Sequence, residues 1–170
     1  MNSQIEIKQV ETMENQTLSF LSDLLIKVVN DGASIGFLPP LQQDAAVDYW
    51  KEVINPGVIL WSAVCDGIIA GTIQLHLVLK QNGSHRAEVA KLMVDPAYRR
   101  KGIAQMLMQT AEEFARSEGR SLLVLDTRTG DPSNILYKSR GYIEVGQIPN
   151  YALSVNGQMD GTTIYYKQLF

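Results

Sequence analysis

The sequence contains few residues that could build a metal site or a disulfide bond. Cys65 is its only cysteine, and His76 and His85 are its only histidines. One cysteine cannot form an intramolecular disulfide bond, and two histidines do not make a multi-histidine metal centre. Because Cys65 follows the apolar run 58–64, we interpret it as a small core residue. The sequence therefore predicts neither a disulfide framework nor a bound metal.

The sequence also lacks an excess of basic residues and a long apolar segment. Its 15 lysine and arginine residues stand against 18 aspartate and glutamate residues, so the formal net charge is −3. Nucleic-acid-binding proteins usually carry a basic surface, so nucleic acid is not an expected partner. No segment approaches the roughly 20 apolar residues of a membrane helix, and the N-terminus does not resemble a signal peptide. We expect no membrane partner and a cytoplasmic location.

What the chain does contain suits one globular domain. Hydrophobic residues make up 45% of the 170 residues and charged residues 19%, which is ordinary for a folded protein. We therefore expect a single domain over residues 1–170, with its core between about residues 5 and 169.

The hydrophobic pattern predicts a mixed α/β fold with three layers. Apolar residues at helical spacing predict helices, whereas alternation or short apolar runs between turn signals predict strands. The unit from Arg86 to Leu125 should be a right-handed parallel crossover. The predicted strands span about 5–10, 58–65, 68–79, 86–94, 122–125, 142–148 and 162–169, and the predicted helices about 14–30, 42–54, 101–117 and 132–139.

A basic loop with the spacing Arg99-x-x-Gly102-x-Ala104 lies between a predicted strand and an amphipathic helix. Unpaired N–H groups at a helix start carry partial positive charge and attract phosphate. Gly102 would let a phosphate approach the backbone, and Arg99, Arg100 and Lys101 would add attraction. A solvated basic loop before an ordinary surface helix is the alternative, and this segment alone does not decide between the two.

A second motif, Asn134-x-x-Tyr137-x-x-x-Gly141-Tyr142, follows the predicted strand 122–125. Residues three apart share one face of a helix, so this spacing directs an amide and a phenol to the same place. Either residue alone could instead be structural, with Asn134 as a helix cap and Tyr137 as a half-buried core residue.

Together these motifs resemble the GNAT superfamily of N-acetyltransferases. The loop resembles its motif A, the second motif resembles its motif B, and the order of elements matches over nearly the whole chain. The resemblance implies a central mixed, mostly antiparallel sheet flanked by helices, with acetyl-CoA as co-substrate. Four segments are also similar to the tabtoxin-resistance branch, whose members acetylate small amines or amino-acid-like toxins: Arg86–Val94, Leu122–Thr127, Gly146–Ala152 and Tyr165–Lys167.

The resemblance further implies that a primary amine attacks the acetyl thioester directly in a ternary complex. The N–H of Met93 or Val94 would polarise the thioester oxygen, and Tyr137 would protonate the departing thiolate. The residues expected to bind the cofactor are Leu92, Met93, Val94, Arg99, Arg100, Lys101, Gly102, Ile103, Ala104, Asn134 and Tyr137.

Two carboxylates could bind or deprotonate the amine. Asp126 ends an apolar strand, and ligands of such folds bind at the carboxyl ends of strands. Glu88 stands among apolar neighbours, where a carboxylate is costly unless it is paired or functional. Structural pairing, for instance of Glu88 with Arg86 or Lys91, is the alternative.

Three other functions fit parts of the pattern. A protein or peptide N-acetyltransferase would use the same cofactor motifs with a different acceptor groove, and a CoA-binding or sensing module would use them without turnover. A nucleotide-phosphate-binding protein would need magnesium ligands, and no such pattern accompanies the loop. The apolar ending Ile164–Tyr166 could belong to the core or to a homodimer interface.

Overall fold

The computed structural model describes residues 4–170, and a seven-stranded sheet lies at its centre. The strand order is β1-β2-β3-β4-β5-β7-β6. Only β4 and β5 pair in parallel, and the other neighbours are antiparallel. The strands are β1 Ile5–Gln9, β2 Val58–Cys65, β3 Ile68–Leu77, β4 Arg86–Val94, β5 Leu122–Arg128, β6 Ile143–Leu153 and β7 Met159–Gln168.

Helices cover both faces of this sheet, and the mixed three-layer α/β fold is thereby confirmed. The helices are α1 Asn15–Asn30, α2 Gln43–Lys51, α3 Ile103–Ser117 and α4 Ser133–Ser139. Helices α1 and α2 share one buried cluster with residues such as Met93, while α3 and α4 pack around residues such as Ile73 on the other face. No helix among residues 4–170 is both long and apolar enough to cross a membrane. The N-terminus that we compared with a signal peptide begins with residues 1–3. These three residues lie outside the described part of the chain.

Several predicted boundaries differ from those of the structure. Helix α3 begins at Ile103 rather than at residue 101, because Gly102 has a φ of 79°, which a right-handed helix does not allow. Strand β5 continues to Arg128, because Asp126–Arg128 pair with β7. Strand β6 likewise extends to Leu153 through its pairing with β7. In contrast, α2 ends at Lys51, about three residues earlier than predicted.

Helix α3 packs very closely on the middle of the sheet, at Gly71 of β3. A Cβ atom at this position would lie 2.9 Å from the Met93 carbonyl oxygen and 3.0 Å from Cγ2 of Ile103. Both distances are shorter than ordinary contacts, so a larger residue would push α3 away from the sheet. Because Ile103 is the first residue of α3, Gly71 sets the height of this helix end above the sheet.

A buried carboxylate also anchors α3. Glu112 is 2% exposed, and it accepts hydrogen bonds from Arg140 at 3.1 and 2.9 Å and from Lys167 at 3.1 Å. Burial acts to raise the pKa of Glu112, but the hydrogen bonds from these two cations outweigh it and lower the pKa below its usual value. The cluster ties α3 to the residue after α4 and to β7.

We predict that Glu112→Gln destabilises the fold by about 3–5 kcal/mol at pH 7, because two half-buried cations lose their buried counter-charge. The lowered pKa makes the carboxylate stabilising above its unfolded-state pKa, and this stabilisation is lost as the pH falls through the folded-state pKa. Urea unfolding between pH 7 and pH 3 should therefore show that the difference in free energy of unfolding between the parent and Glu112→Gln becomes smaller as the pH falls. The exposed neighbour offers a control, Glu113→Gln, expected within about 0.5 kcal/mol of the parent. A deficit that does not vary with pH would contradict the proposed charge effect.

Candidate active site

Strands β4 and β5 separate soon after they meet. They pair only where Arg86–Glu88 lie beside Leu122–Val124. Beyond these residues β4 continues along β3 and β5 continues along β7. A gap therefore opens between the carboxyl ends of two parallel strands, the place where such sheets bind ligands.

A bulge in β4 accompanies this separation. Met93 pairs with Thr72 and Ala90 pairs with Gln74, so two residues, Lys91 and Leu92, lie opposite one residue of β3. Lys91 has a φ of 53°, in the left-handed region that non-glycine residues rarely adopt. An extra residue bends and twists its strand, and the bend falls where β4 has lost its partner β5.

The backbone amides of β4 alternate between the two sides of the strand. The N–H of Asp95 donates to the Ala70 carbonyl oxygen at 2.8 Å. In an antiparallel ladder this bond directs the amide of Val94 to the opposite side, into the gap, and that of Met93 toward β3. Of the two amides predicted to polarise a thioester oxygen, that of Val94 therefore faces the gap.

The start of α3 presents unpaired N–H groups. Gly102 is its N-cap, no side chain caps it, and the first intrahelical bond runs from the Met106 N–H to the Gly102 carbonyl. The amides of Ile103 and Ala104 thus have no partner within the helix. The side chain of Ile103 is buried, so only its backbone could contact a cofactor. A Cβ atom at Gly102 would meet no atom within 4 Å.

The basic residues of this loop are exposed, and one of them is already paired. Nη2 of Arg99 lies 2.6 Å from Oδ2 of Asp31, at the end of α1. Nζ of Lys101 lies 5.1 Å from the centre of the Tyr98 ring. Arg100 has a φ of 63°. The cations are thus clustered beside the free amides of α3, where an anion would be attracted.

A second ion pair holds the same loop against α1, and the sequence analysis did not foresee it. Asp95 is 3% exposed, its Oδ2 lies 3.0 Å from Nζ of Lys27, and its Oδ1 accepts a hydrogen bond from the Ala97 N–H at 2.9 Å. The sequence Asp95-Pro96 indicated this capped turn, but it did not indicate that Lys27 of α1 would bind Asp95.

Asn134 holds α4 through three hydrogen bonds. Its Nδ2 donates to the carbonyl oxygens of Arg128 and Asp131 at 3.0 and 2.8 Å, and its Oδ1 accepts a hydrogen bond from the Tyr165 hydroxyl at 2.7 Å. Both amide hydrogens are used, which favours the structural interpretation. The cofactor contact of Asn134 stays a prediction, with one lone pair of Oδ1 left to support it.

Tyr137 lies one turn further along α4 and is 6% exposed. Its ring packs 5.9 Å from that of Tyr142 and 6.0 Å from that of Tyr165. Burial, and then the negative charge of Asp126, raise the pKa of Tyr137 above its ordinary value. The hydroxyl group therefore keeps its proton at neutral pH.

The two candidate carboxylates lie on one face of the sheet, on opposite sides of the gap. Glu88 is paired with Val124, two residues before Asp126 on β5. Because the alternating residues Leu123 and Leu125 belong to the core under α3, Val124, Asp126 and Glu88 point to the face of α1 and α2. Both carboxylates are exposed. The expected burial of Glu88 among apolar residues is therefore wrong, since its face is uncovered beside the gap.

Polar side chains continue from Glu88 along the same face. His76 lies opposite Glu88 on β3, its Nε2 is 2.8 Å from Oε1 of Gln74, and Gln74 donates to the Tyr49 hydroxyl at 3.0 Å. Burial lowers the pKa of His76, against the opposing charge of Glu88, so His76 is neutral at pH 7. Nearby, a cavity of about 270 Å³ lies between residues 32–38 and the end of β6.

Similarity to known proteins identifies the family of this chain. The profile of the Acetyltransferase (GNAT) family matches residues 27–142, more than half of the chain. The chain belongs to the GNAT family. It is therefore an N-acetyltransferase that depends on acetyl-CoA, and the gap, the loop and Tyr137 all lie within the matched segment.

Two individual proteins are similar to this chain in sequence, and one solved structure is similar to it in fold. An uncharacterized N-acetyltransferase from the hisH–hisA intergenic region of Azospirillum brasilense is 32% identical over 127 residues, which are 73% of this chain and 76% of that protein. N-acetylaspartate synthetase of Rattus norvegicus is 32% identical over 99 residues, 58% of this chain and only 32% of that protein. The Salmonella typhimurium protein yncA, solved with its cofactor acetyl-CoA, has a TM-score of 0.79 at 17% identity over 98% of this chain and 94% of that chain.

We predict that Gly102→Val weakens acetyl-CoA binding by about tenfold or more, because a branched side chain would occupy the space beside the free amides of α3. Gly119, at the other end of α3, also has a positive φ (71°) and open space around it, so Gly119→Val is a matched control. Both substitutions should cost about 1–2 kcal/mol of stability, but only Gly102→Val should reduce affinity in calorimetry. Equal affinities of the two variants would reject this loop as the phosphate site.

Proposed function

We propose that this N-acetyltransferase acetylates the primary amine of a small molecule or an amino-acid-like compound, by direct attack on acetyl-CoA in a ternary complex. The observation that carries the proposal is the gap between β4 and β5, which the Val94 amide faces and which Glu88 and Asp126 flank. A hydrogen-bond donor for the thioester oxygen and two anions for an ammonium group thus meet at one opening. The name of the N-acetylaspartate synthetase relative supports an amino-acid-like acceptor.

The residues along the gap fit acetyl-CoA. The open edge of β4 from Leu92 to Val94 can pair with the amides of the pantetheine arm, and the Val94 N–H can polarise the thioester carbonyl. At the start of α3, free amides together with Arg100 and Lys101 can bind the phosphates. Arg99 could contribute as well, in competition with its bond to Asp31.

Tyr137 supplies the proton that the departing thiolate needs. Its raised pKa keeps the phenol protonated before the reaction. An ordinary thiol has a pKa of about 8.5, so proton transfer from this phenol is not favoured by acidity alone. The hydroxyl group must therefore stand close to the sulfur as the bond breaks, which the bonds of Asn134 help to ensure by fixing α4.

A small acceptor fits this protein better than a peptide does. A cavity of about 270 Å³ is bounded by the α1–α2 loop, by Arg128 at the end of β5 and by residues 152–155 of the chain. This volume lies near the lower end of ligand pockets, about 300–1,000 Å³. A peptide N-acetyltransferase is the second candidate. CoA release with short peptides as acceptors, in the assay described below, would favour it.

The first test measures CoA release from acetyl-CoA with small amines, amino acids, short peptides and amine-bearing antibiotics as acceptors. We predict that Tyr137→Phe lowers turnover by about a hundredfold, within the range for loss of a general acid, and leaves acetyl-CoA affinity unchanged. Tyr142→Phe is the control, because its ring neighbours Tyr137 without a proposed role. Single-turnover transfer at the parent rate in Tyr137→Phe would exclude the acid role. Binding of acetyl-CoA without turnover on any acceptor would favour a sensing module.

We further predict that Asp126→Asn lowers turnover by about tenfold to a hundredfold with little change in acetyl-CoA affinity, because the ammonium group loses an anion or a base. Glu88→Gln tests the other side of the gap in the same way. Asp66→Asn, in the distant β2–β3 turn, is the control. Steady-state kinetics with the best acceptor separates the two roles, since loss of an anchor raises KM and loss of a base lowers kcat. Unchanged parameters would remove Asp126 from the site.

A further inference from the structure

Lys91 connects the bulge of β4 to the wall of the cavity. From its left-handed backbone position, its Nζ donates to the Ile35 carbonyl oxygen at 2.6 Å. A Cβ atom at Gly36 would lie 3.3 Å from this Nζ, so glycine leaves room for the ammonium group. The half-buried side chain thus fixes the α1–α2 loop on the strand that borders the gap.

The ammonium group of Lys91 lies in the field of both candidate carboxylates without binding either. Within residues 4–170, the ion pairs of 4.0 Å or less involve neither Glu88 nor Asp126. Burial lowers the pKa of Lys91, while the charges of Asp126 and then Glu88 act in the opposite direction. Held by Ile35, the cation stays near the two carboxylates without occupying their oxygens. Oδ2 of Asp126 accepts a hydrogen bond from the Thr162 hydroxyl at 2.8 Å, so Asp126 offers its Oδ1 to a ligand.

The groups that face this opening from β3, from α2, from the α1–α2 loop and from the end of β5 do not supply a positive charge in place of Lys91. His76 on β3 is neutral at pH 7, and burial raises the pKa of Tyr49 on α2, which keeps its proton. Residues 32–38 include no charged side chain. Arg128 on β5 is occupied by two aspartates, Asp131 at 2.9 Å and Asp160 at 3.7 Å.

We propose that Lys91 is a positioning residue that offsets the negative charge of Glu88 and Asp126 beside the acceptor amine, so that the bound ammonium group can lose its proton. The inference rests on the proposed function, because it takes the amine to lie between the two carboxylates. Two anions bind an ammonium group well, but they also hold it in the charged form, which has no lone pair for attack. A nearby cation restores the balance toward the neutral amine.

The reaction balances with these groups alone. The ammonium group gives one proton to a carboxylate or to water, the neutral nitrogen forms a bond to the acetyl carbon, and the carbon–sulfur bond breaks. The thiolate takes the proton of the Tyr137 hydroxyl, and the second proton of the nitrogen leaves as the amide forms and restores the phenol through solvent. Lys91 keeps its own proton throughout and acts only through its positive charge. The hydrogen bond to the Ile35 carbonyl oxygen holds this charge in position.

Kinetics of Lys91→Met and Lys91→Arg test this role, with n-butylamine as reference probe beside the best acceptor. Methionine keeps an unbranched apolar stem and removes the charge. We expect kcat at pH 7 to fall about tenfold and its pH profile to move up by about one unit, since one pKa unit is a factor of ten. The acceptor KM should stay equal or fall, because the site becomes more negative. Lys91→Arg should restore both values.

A merely structural role of Lys91 predicts the opposite result, a higher acceptor KM with an unmoved pH profile, and that outcome would overturn the proposal. A second measurement needs no acceptor: nuclear magnetic resonance follows the titration of Lys91 in the parent, Glu88→Gln and Asp126→Asn proteins. Each variant removes a negative charge and should lower the pKa of Lys91. A pKa that stays constant in both variants would also overturn the proposal.

Failure of the proposed function is distinguishable from failure of this inference. If the parent protein binds no acetyl-CoA in calorimetry, the proposed function is contradicted, whatever the lysine titration shows. If the parent binds acetyl-CoA and acetylates an amine, and Lys91→Met melts at the parent temperature with unchanged pH profile, only the role of Lys91 is contradicted.

Discussion

The parallel pairing of β4 with β5 lasts for three residues on each strand, and the site is a consequence of how early it ends. Each strand keeps its other neighbour, so the separation leaves backbone groups unpaired only along the edges that face the gap. The bulge at Lys91 bends β4 at this point, and beyond it the ladder with β3 directs the Val94 amide into the opening. Because the last pair joins Glu88 to Val124, the carboxylates of Glu88 and Asp126 face each other across it.

Charged groups hold the helices that surround this opening. On one face, Glu112 binds two cations and thereby ties α3 to the residue after α4 and to β7. On the other face, α1 is bound to the loop before α3 through Asp95 and Arg99. Both ends of the candidate cofactor loop are thus fixed by ion pairs, which cannot be predicted from a hydrophobic pattern. Gly71 sets the distance between α3 and the sheet.

The sequence predicts most of this fold because turn signals delimit its elements. The bounds of β2 and β4 agree with the prediction, since glycine, proline and asparagine mark their ends. The polar end of β5 was missed, because only pairing with β7 makes Asp126–Arg128 a strand. The candidate cofactor loop and Tyr137 were predicted from motifs, and their roles stay predictions. The left-handed Lys91 and the buried Glu112 were not, because they depend on strand register and on partners 28 to 56 residues away.

The two ion pairs of α1 also bear on how the chain folds as it is made. Lys27 and Asp31 each bind a residue 68 positions later. At about 5–20 residues per second, a ribosome needs roughly 3–14 s to supply those partners after α1 has been synthesised. Helix α1 can contact β2 and β3 during this interval, but its C-terminal end is fixed only when residues 95–99 of the candidate cofactor loop emerge. The same stretch of nascent chain therefore fixes α1 and begins the candidate cofactor site.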